Sequence, residues 1–361
     1  MNTFGEAFKV TIFGQSHSES VGAVVEGVPS GTVIDEEALA AFMTRRKPNR
    51  GVGTSPRNEA DRVRIVAGTT AGGVCCGAPL CMMIDNEDAR PEDYAGLADT
   101  PRPSHVDYAA SIKENGHCDV CGGGRYSGRL TAPLCAAGYV AETVLSRRYG
   151  VEVGVHLLSV GGVTDRAFDS CRVSREELER LKHMGFPVLE ADNGAKMEKR
   201  ITSAAAEGDS VGGCVECALI GLKPGVGGPM FDGIENALSR AIFGIPGVKA
   251  VEFGAGRDFA DLTGTESNDA FCTDGTRLYT ETNRSGGING GLSNGMPIVL
   301  RATFRPTPSI AVPQKTVSLS RMENTLLTIK GRHDACIAVR GAVCVEAAAA
   351  IAILDLLLKN E

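Results

Sequence analysis

Tryptophan is absent from the 361 residues, and aromatic residues make up only 5%. The core must therefore rest on Val, Ile, Leu and Ala. A basic excess is missing too. The formal net charge is −7, which argues against a general nucleic-acid partner and makes any local arginine cluster informative. No apolar secretory segment opens the chain, since MNTFGEAFKV is mixed and polar, so a cytoplasmic protein is expected. In that setting the twelve cysteines read as reduced, small hydrophobes rather than a disulfide framework. The run His117-Cys-Asp-Val-Cys121 has metal-ligand spacing but lacks a fourth ligand or a second CxxC, and no metal is expected. The greasy run AVCVEAAAAIAILDLLL is broken by Glu346 and Asp355. It leaves no uncharged span of about 18 residues, so it reads as a buried helix and not a membrane span.

What the chain does have is glycine. There are 45, clustered as GGG at 122 and GGxxGG at 286. Such clusters let main chain turn with positive φ or lie close to a ligand. The length suits one large domain or two ordinary ones, and no low-complexity linker divides it. A single domain over residues 1–361 is expected.

Strands are predicted over Phe8–Phe13 and Val21–Val28, then at VRIVAG, APLCMMID, VEVGVHLLSVGGV, GGCVECALIGL, VKAVEFG, PIVLRATF and ACIAVRGAV. Helices are predicted from an Asp35 cap to about Arg45, and over 127–149, 172–183, 192–207, FDGIENALSRAIFGI and 342–359. The alternation is too irregular for a doubly wound sheet, so an α+β layered protein with mainly antiparallel strands is expected. Strand, glycine-rich segment and alanine-rich helix recur near 120–149 and 212–244, a coarse echo of duplication.

Several segments carry chemistry. Arg45, Arg46, Lys47, Arg50, Arg57, Arg62 and Arg64 crowd into 20 residues. Pro48, Gly51, Gly53 and Pro56 stiffen or kink that loop. Arginine forks pair bidentately with phosphate and carboxylate, and in an acidic protein such a cup suits a small anion. In FGQSHSES a strand runs into a polar turn bearing His17, and RPSH carries His105. A lone histidine is more often structural, so their interest depends on their meeting in space. CGGGRYSGR (121–129) sets glycines, Arg125 and Ser127 at an expected helix start, an anion-site pattern that is neither Walker A nor GxGxxG. TNRSGGINGGLSNG reads either as a flat ligand platform or as a long hairpin loop. Arg305–Ser309 adds cationic and hydroxyl groups. In KGRHDACIAVRG, Arg332 and Asp334 would share a strand face.

Taken together, FGQSHSESVGAVVEGVPSG, RRKP with SPRNEADRVRIVAG, RPSHVDY, GGGRYSGR, EGDSVGG, GVKAVEFG, NRSGGINGG and GRHDACIAVRG resemble the chorismate synthase family along essentially the whole chain. The resemblance implies a β-α-β sandwich of antiparallel sheets around a helical layer, with internal pseudo-symmetry and a homotetrameric assembly. It implies 1,4-anti elimination of phosphate from 5-enolpyruvylshikimate 3-phosphate to give chorismate, the last common step of aromatic amino-acid biosynthesis. It further implies dependence on reduced FMN without net redox change, and it associates the family with NADP. No room exists for a flavin reductase insertion, so a monofunctional enzyme with an external flavin reductant is expected.

By the same resemblance, His17 is a proton donor to the departing phosphate. His105 protonates or stabilises reduced flavin, and Asp334 assists proton removal at C6. Arg45, Arg46, Arg50, Arg57 and Arg129 are substrate-binding candidates. Arg125, Tyr126, Ser127, Pro246, Gly247, Gly290, Arg305, Pro306, Thr307, Pro308, Ser309 and Arg332 are FMN-binding candidates. The chain departs from the family's pattern at Gln15, Ser18, Val52, Tyr126, Gly247 and Arg305. An FMN- or anion-binding homologue with weak or lost activity is the alternative, and a hydride-transferring redox enzyme lacks its βαβ fingerprint.

Overall fold

In the computed structural model, which describes residues 2–47, 60–87, 97–329 and 334–361, the first apolar runs pair edge to edge. Strands β1 (Thr3–Phe4), β2 (Lys9–Phe13), β3 (Ser20–Glu26), β4 (Arg64–Ala67) and β5 (Leu80–Asp85) form an antiparallel sheet ordered β1-β2-β3-β5-β4. Period-2 patterning fixes its register. Buried Val21, Ala23 and Val25 stand opposite buried Ile84, Met82 and Leu80, and a one-residue slip would turn this face to solvent. Helix α1 (Glu36–Thr44) begins at the expected cap, where the Asp35 carboxylate accepts from the Glu37 and Ala38 amides at 3.0 Å. It delivers Arg45 and Arg46 to the interior.

Helices α2 (Asp107–Lys113) and α3 (Thr131–Val144) precede the second sheet. That sheet contains β6 (Glu152–Val160), β7 (Val163–Thr164), β8 (Gly213–Ile220) and β9 (Val248–Phe253). Helices α4 (Arg175–Lys182), α5 (Ala191–Ala206) and α6 (Ile234–Ile242) are interleaved with these strands, and the short α7 (Gly264–Ser267) follows. Two small hairpins come next, β10 (Phe271–Thr273) with β11 (Leu278–Thr280), and β12 (Ile288–Asn289) with β13 (Leu292–Ser293). Strand β14 (Ile298–Phe304) then returns to the second sheet, which is antiparallel in the order β7-β6-β8-β14-β9. A hairpin of β15 (Gln314–Ser318) and β16 (Glu323–Leu327) precedes the last helix, α8 (Ala338–Lys359).

Helices α3 and α8 lie between the sheets. Helix α3 packs on β3 and β5, and α8 packs on α3, α6, β6 and β8. The architecture is thus the expected α+β sandwich of two five-stranded antiparallel sheets around helices. Small residues let the helices approach closely: a Cβ on Gly138 would lie 2.2 Å from the Ala347 Cβ, so only glycine fits there. Every residue from Gly341 to Leu356 is buried. The two charges that interrupt the greasy run are both satisfied internally. Glu346 holds Arg45 through two hydrogen bonds of 2.8 and 2.5 Å. Asp355 Oδ1 accepts the amides of Glu6, Ala7 and Phe8 at 2.8, 2.7 and 2.9 Å, tying the first hairpin to α8.

Two sequence expectations are corrected. The run Ala335–Val343 is not a strand. Asp334 lies in a loop and α8 has begun by Ala338, because a helix buried on all sides shows no periodicity to separate it from a strand. The helix expected over 127–149 begins as α3 only at Thr131, after a tight turn at Gly128–Leu130, and it continues through a widened π-helical turn over Leu145–Tyr149 to the expected end, where Gly150 has φ 67°.

Candidate active site

Strand β2 stops at Phe13 because Gly14 turns the chain at φ 95°, where a Cβ would sit 2.6 Å from the Ser20 carbonyl oxygen. The polar turn that follows is held by its own hydroxyl. The Gln15 amide donates to Ser18 Oγ at 3.0 Å, Ser18 Oγ donates to the Ser20 carbonyl at 2.7 Å, and Asn86 Nδ2 donates to the Ser18 carbonyl at 2.6 Å. His17 is thereby set against Gly122. A Cβ on Gly122 would lie 2.4 Å from Ser16 Oγ and 2.7 Å from His17 Cε1. On the next residue, a Cβ on Gly123 would lie 3.4 Å from His105 Cε1. Bare backbone therefore separates the two imidazoles. The Gly124 carbonyl accepts from the Ser16 amide at 3.1 Å, and Ser127 Oγ donates to Ser16 Oγ at 3.2 Å. The glycine run is a spacer and not the helix start read from the sequence. Its three φ values are 58°, 86° and 53°. Arg125 turns outward, its guanidinium 2.6 Å from Glu114.

His105 is oriented from behind. Its Nδ1 lies 2.6 Å from Asp107 Oδ1, and Arg102 grips the same carboxylate through Nε and Nη2, both at 2.7 Å. Burial pushes the Asp107 carboxyl up, but the hydrogen bonds from Arg102 and His105 outweigh it and hold the group well below the usual carboxylate range. An ionised carboxylate only accepts, so Nδ1 carries a proton and Nε2 is turned to the Gly123 side.

Arg102, His105, Gly122 and Ser127 border a cavity of about 340 Å³. Its wall brings together His105, Arg46, Arg102, Arg129, Arg305 and Arg340 with Tyr126, Ser127, Pro246, Gly247, Thr307, Pro308, Ser309 and Asp334. Behind the wall, buried Asp61 accepts from Arg46 Nε at 3.0 Å and Nη2 at 2.5 Å, and also pairs with Arg129. Burial raises its pKa, but the Arg46 and Arg129 guanidiniums prevail and lower it. Arg340 Nη1 donates to Asp334 at 2.8 Å, and Arg305 Nη1 donates to the Ser104 carbonyl at 2.6 Å. Among the described residues, five guanidiniums on the wall meet three carboxylates, Asp61, Asp107 and Asp334. The excess is positive in a protein whose net charge is −7, which favours a multiply anionic small ligand. A second cavity of about 640 Å³ shares the Tyr126, Ser127, Thr131 and Pro246 wall.

Comparison with known proteins matches this arrangement to one family. The chorismate synthase profile matches residues 8–358. A chorismate synthase of Aeropyrum pernix is 43% identical over 360 residues, covering 100% of this chain and 93% of that protein. One of Lancefieldella parvula is 38% identical over 366 residues, covering 99% and 96%. A solved structure described as "Crystal Structure of Chorismate Synthase" shares the fold at a TM-score of 0.76 and 24% identity, over 99% of this chain and 93% of that one. The chain belongs to the chorismate synthase family. It is accordingly an enzyme of that kind, a lyase of aromatic biosynthesis acting on a small molecule.

Set against the family's motifs, the site residues divide. His105, Arg46, Arg129, Tyr126, Ser127, Pro246, Gly247, Arg305, Thr307, Pro308, Ser309 and Asp334 converge on the cavity, and His17 stands beside it across Gly122. Arg45 does not line it, because its guanidinium is spent on Glu346 inside the core. Arg125 faces the neighbouring cavity, exposed Pro306 is off the wall, and Gly290 sits at the exposed tip of the β12–β13 hairpin. Arg50, Arg57, Arg332 and Val52 lie outside the described residues.

The departures from the family pattern have local partners. Gln15 Nε2 donates to Asp119 at 3.0 Å, and Ser18 pins the turn. Tyr126 OH donates to Glu114 at 3.3 Å beneath the Arg125 guanidinium. Gly247 adopts φ 95°, a conformation that strains alanine. Arg102, Asp107 and Arg340 were missed by sequence reasoning. All three stood inside the RPSHVDY and GRHDACIAVRG segments, at positions where only contacts reveal their use.

Proposed function

We propose that the cavity binds 5-enolpyruvylshikimate 3-phosphate against reduced FMN and carries out 1,4-anti elimination of the phosphate to chorismate. The observation that carries this is the cationic wall joined to two histidines separated only by Gly122 and Gly123. The substrate has one phosphate and two carboxylates, and needs several forked donors. Arg46 and Arg129 are held rigid by Asp61 and serve the departing phosphate, stabilising charge as it develops. His17 supplies a proton to the phosphate oxygen as the C–O bond breaks. His105, with Nδ1–H locked on Asp107, presents Nε2 to the cofactor and stabilises reduced flavin there. Asp334, fixed by Arg340, assists proton removal at C6.

The residues fit FMN. Gly122, Tyr126, Pro246 and Gly247 offer backbone and flat side chains on the wall for a planar ring, and Arg305 with Thr307 and Ser309 suits a terminal phosphate. When bound, reduced FMN supplies the electrons that assist bond cleavage and recovers them, so there is no net redox change. Arg50, Arg57, Arg332, Arg125, Pro306 and Gly290 complete the proposed ligand set. In the homotetramer that this reading includes, the exposed Gly290 tip is available to a neighbouring subunit. The enzyme is read as cytoplasmic and monofunctional, receiving flavin from an external reductant.

The test uses purified protein, the substrate and anaerobically photoreduced FMN, with phosphate and chorismate followed together. Equal yields are expected with reduced flavin and none with oxidised flavin. FMN binding without phosphate release would reduce the protein to a binding homologue. NADPH consumption in proportion to product would make it a redox enzyme.

A further inference from the structure

Where α3 packs against α8, two thiols lie one behind the other at the cavity floor. Cys135 Sγ and Cys344 Sγ are 3.8 Å apart, and both residues are buried. The helices are in close contact one turn further on, where Gly138 meets Ala347. Only Cys344 belongs to the cavity wall, beside Arg46, Thr131 and Arg340, whereas Cys135 stands behind it. The pair is chemically unequal. The hydrogen bond donated by Cys135 lowers the pKa of Cys344 against the cost of burial, helped by the Arg46 guanidinium. Burial pushes Cys135 up. The thiol that a small oxidant meets first is thus the one better able to exist as thiolate, with a resolving thiol in contact behind it, the arrangement of redox-responsive cysteines.

We propose that Cys135 and Cys344 form a reversible dithiol–disulfide switch in the cavity floor, oxidised by hydrogen peroxide and reset by a dithiol reductant. In the first step the Cys344 thiolate attacks one peroxide oxygen. An S–O bond forms, the O–O bond breaks, and the departing hydroxide takes up the thiol's proton as water. In the second step Cys135 sulfur attacks the sulfenic sulfur. The S–S bond forms, the S–O bond breaks, and the leaving oxygen departs with the Cys135 proton as a second water. Two thiols and one peroxide give one disulfide and two waters, and thiol–disulfide exchange reverses the change. Reduced flavin that meets dioxygen generates peroxide. That source rests on the flavin reading above, whereas the thiol chemistry does not. Closing the 3.8 Å gap to a bond draws Cys344 from the wall and shifts Thr131, which lies within 3.5 Å of Arg46 Nη1. Ångström-scale displacement of a positioning wall costs roughly 100-fold in rate, so the oxidised enzyme is slowed by roughly 10- to 100-fold.

The experiment treats full-length protein with stepwise hydrogen peroxide, quenches it in denaturant with iodoacetamide, and maps peptides without reduction. A Cys135–Cys344 peptide pair lighter by two hydrogens is expected before exposed Cys76 is oxidised. Phosphate release should fall in step with that cross-link and return with dithiothreitol. In Cys135→Ser, Cys344 should stop at a sulfenic acid that dimedone traps. Carbamidomethylation of both residues after Cys76 has reacted overturns the proposal, and so does a complete cross-link with unchanged turnover. If the reduced protein shows no turnover at all, the catalytic reading fails, and the peptide map still decides whether the thiols pair.

Discussion

Replacing Asp107 by asparagine exchanges one oxygen for an NH₂ group and should disable His105 without touching it. The carboxylate now accepts four hydrogen bonds, from the Arg102 amide at 3.1 Å, Arg102 Nε and Nη2 at 2.7 Å each, and His105 Nδ1 at 2.6 Å. Asparagine has a single acceptor oxygen, and the Arg102 amide and Nε, which both donate at the Oδ2 position, claim it. The amide NH₂ then faces His105 and donates to Nδ1, which moves the ring proton to Nε2. Positioned acid–base groups are worth ~10²- to 10⁴-fold in rate, and a loss of that order in kcat is expected. Stability suffers as well, because both side chains of the Arg102–Asp107 pair are 3% exposed. Leaving a buried guanidinium without its counter-charge costs about 3–5 kcal/mol. The two effects are separated by Arg102→Met combined with Asp107→Asn, which removes the stranded charge, while the backbone amide of residue 102, 3.1 Å from Oδ2, still claims the carbonyl oxygen and keeps the NH₂ toward His105. Single-turnover phosphate release with photoreduced FMN, normalised to folded protein from urea titrations, reads the catalytic part. If the double variant is folded and releases phosphate within twofold of wild type, the tautomer argument is wrong.

Gly122→Ala places a methyl 2.4 Å from Ser16 Oγ and 2.7 Å from His17 Cε1 at φ 58°. The strained φ costs about 1 kcal/mol, and circular dichroism should show a folded protein whose phosphate release is lowered at least tenfold. Arg45→Ala should act on stability and not on KM, since its guanidinium serves Glu346. A loss of about 3–5 kcal/mol in urea unfolding is expected, recovered in part by adding Glu346→Gln. A stable double variant with a tenfold higher KM would put Arg45 back at the substrate. Acid should expose the paired carboxylates. Asp61 and Asp107 have folded pKa values below the ordinary ~3.9. Their contribution is therefore complete above that value and is lost as pH falls below it toward the folded values. Urea midpoints should drop below about pH 4, less steeply in Asp107→Asn.

The strands were readable because one face of each is apolar and one is not, as in Ser20–Glu26, and the Asp35 cap was readable because capping is local. Arg45 was not, since its partner Glu346 lies 301 positions away and a sequence shows a cluster of arginines without showing which ones the core has already claimed. The glycine run announced an unusual backbone, yet nothing in CGGGRYSGR tells that His17 and His105 come to lie against Gly122 and Gly123. Asp107 could have been found: two residues after His105 and five after Arg102, it is the only carboxylate within RPSHVDY.

The central claim is that the cationic chamber bordered by His105, with His17 beside it across Gly122, holds both ligands. Crystals grown with oxidised FMN and 5-enolpyruvylshikimate 3-phosphate test it directly. The account predicts density for the flavin ring along Gly247 and Tyr126, with His105 Nε2 facing it and the substrate phosphate on Arg46 and Arg129. Density for either molecule away from that chamber, with no phosphate at Arg46 and Arg129, would contradict it.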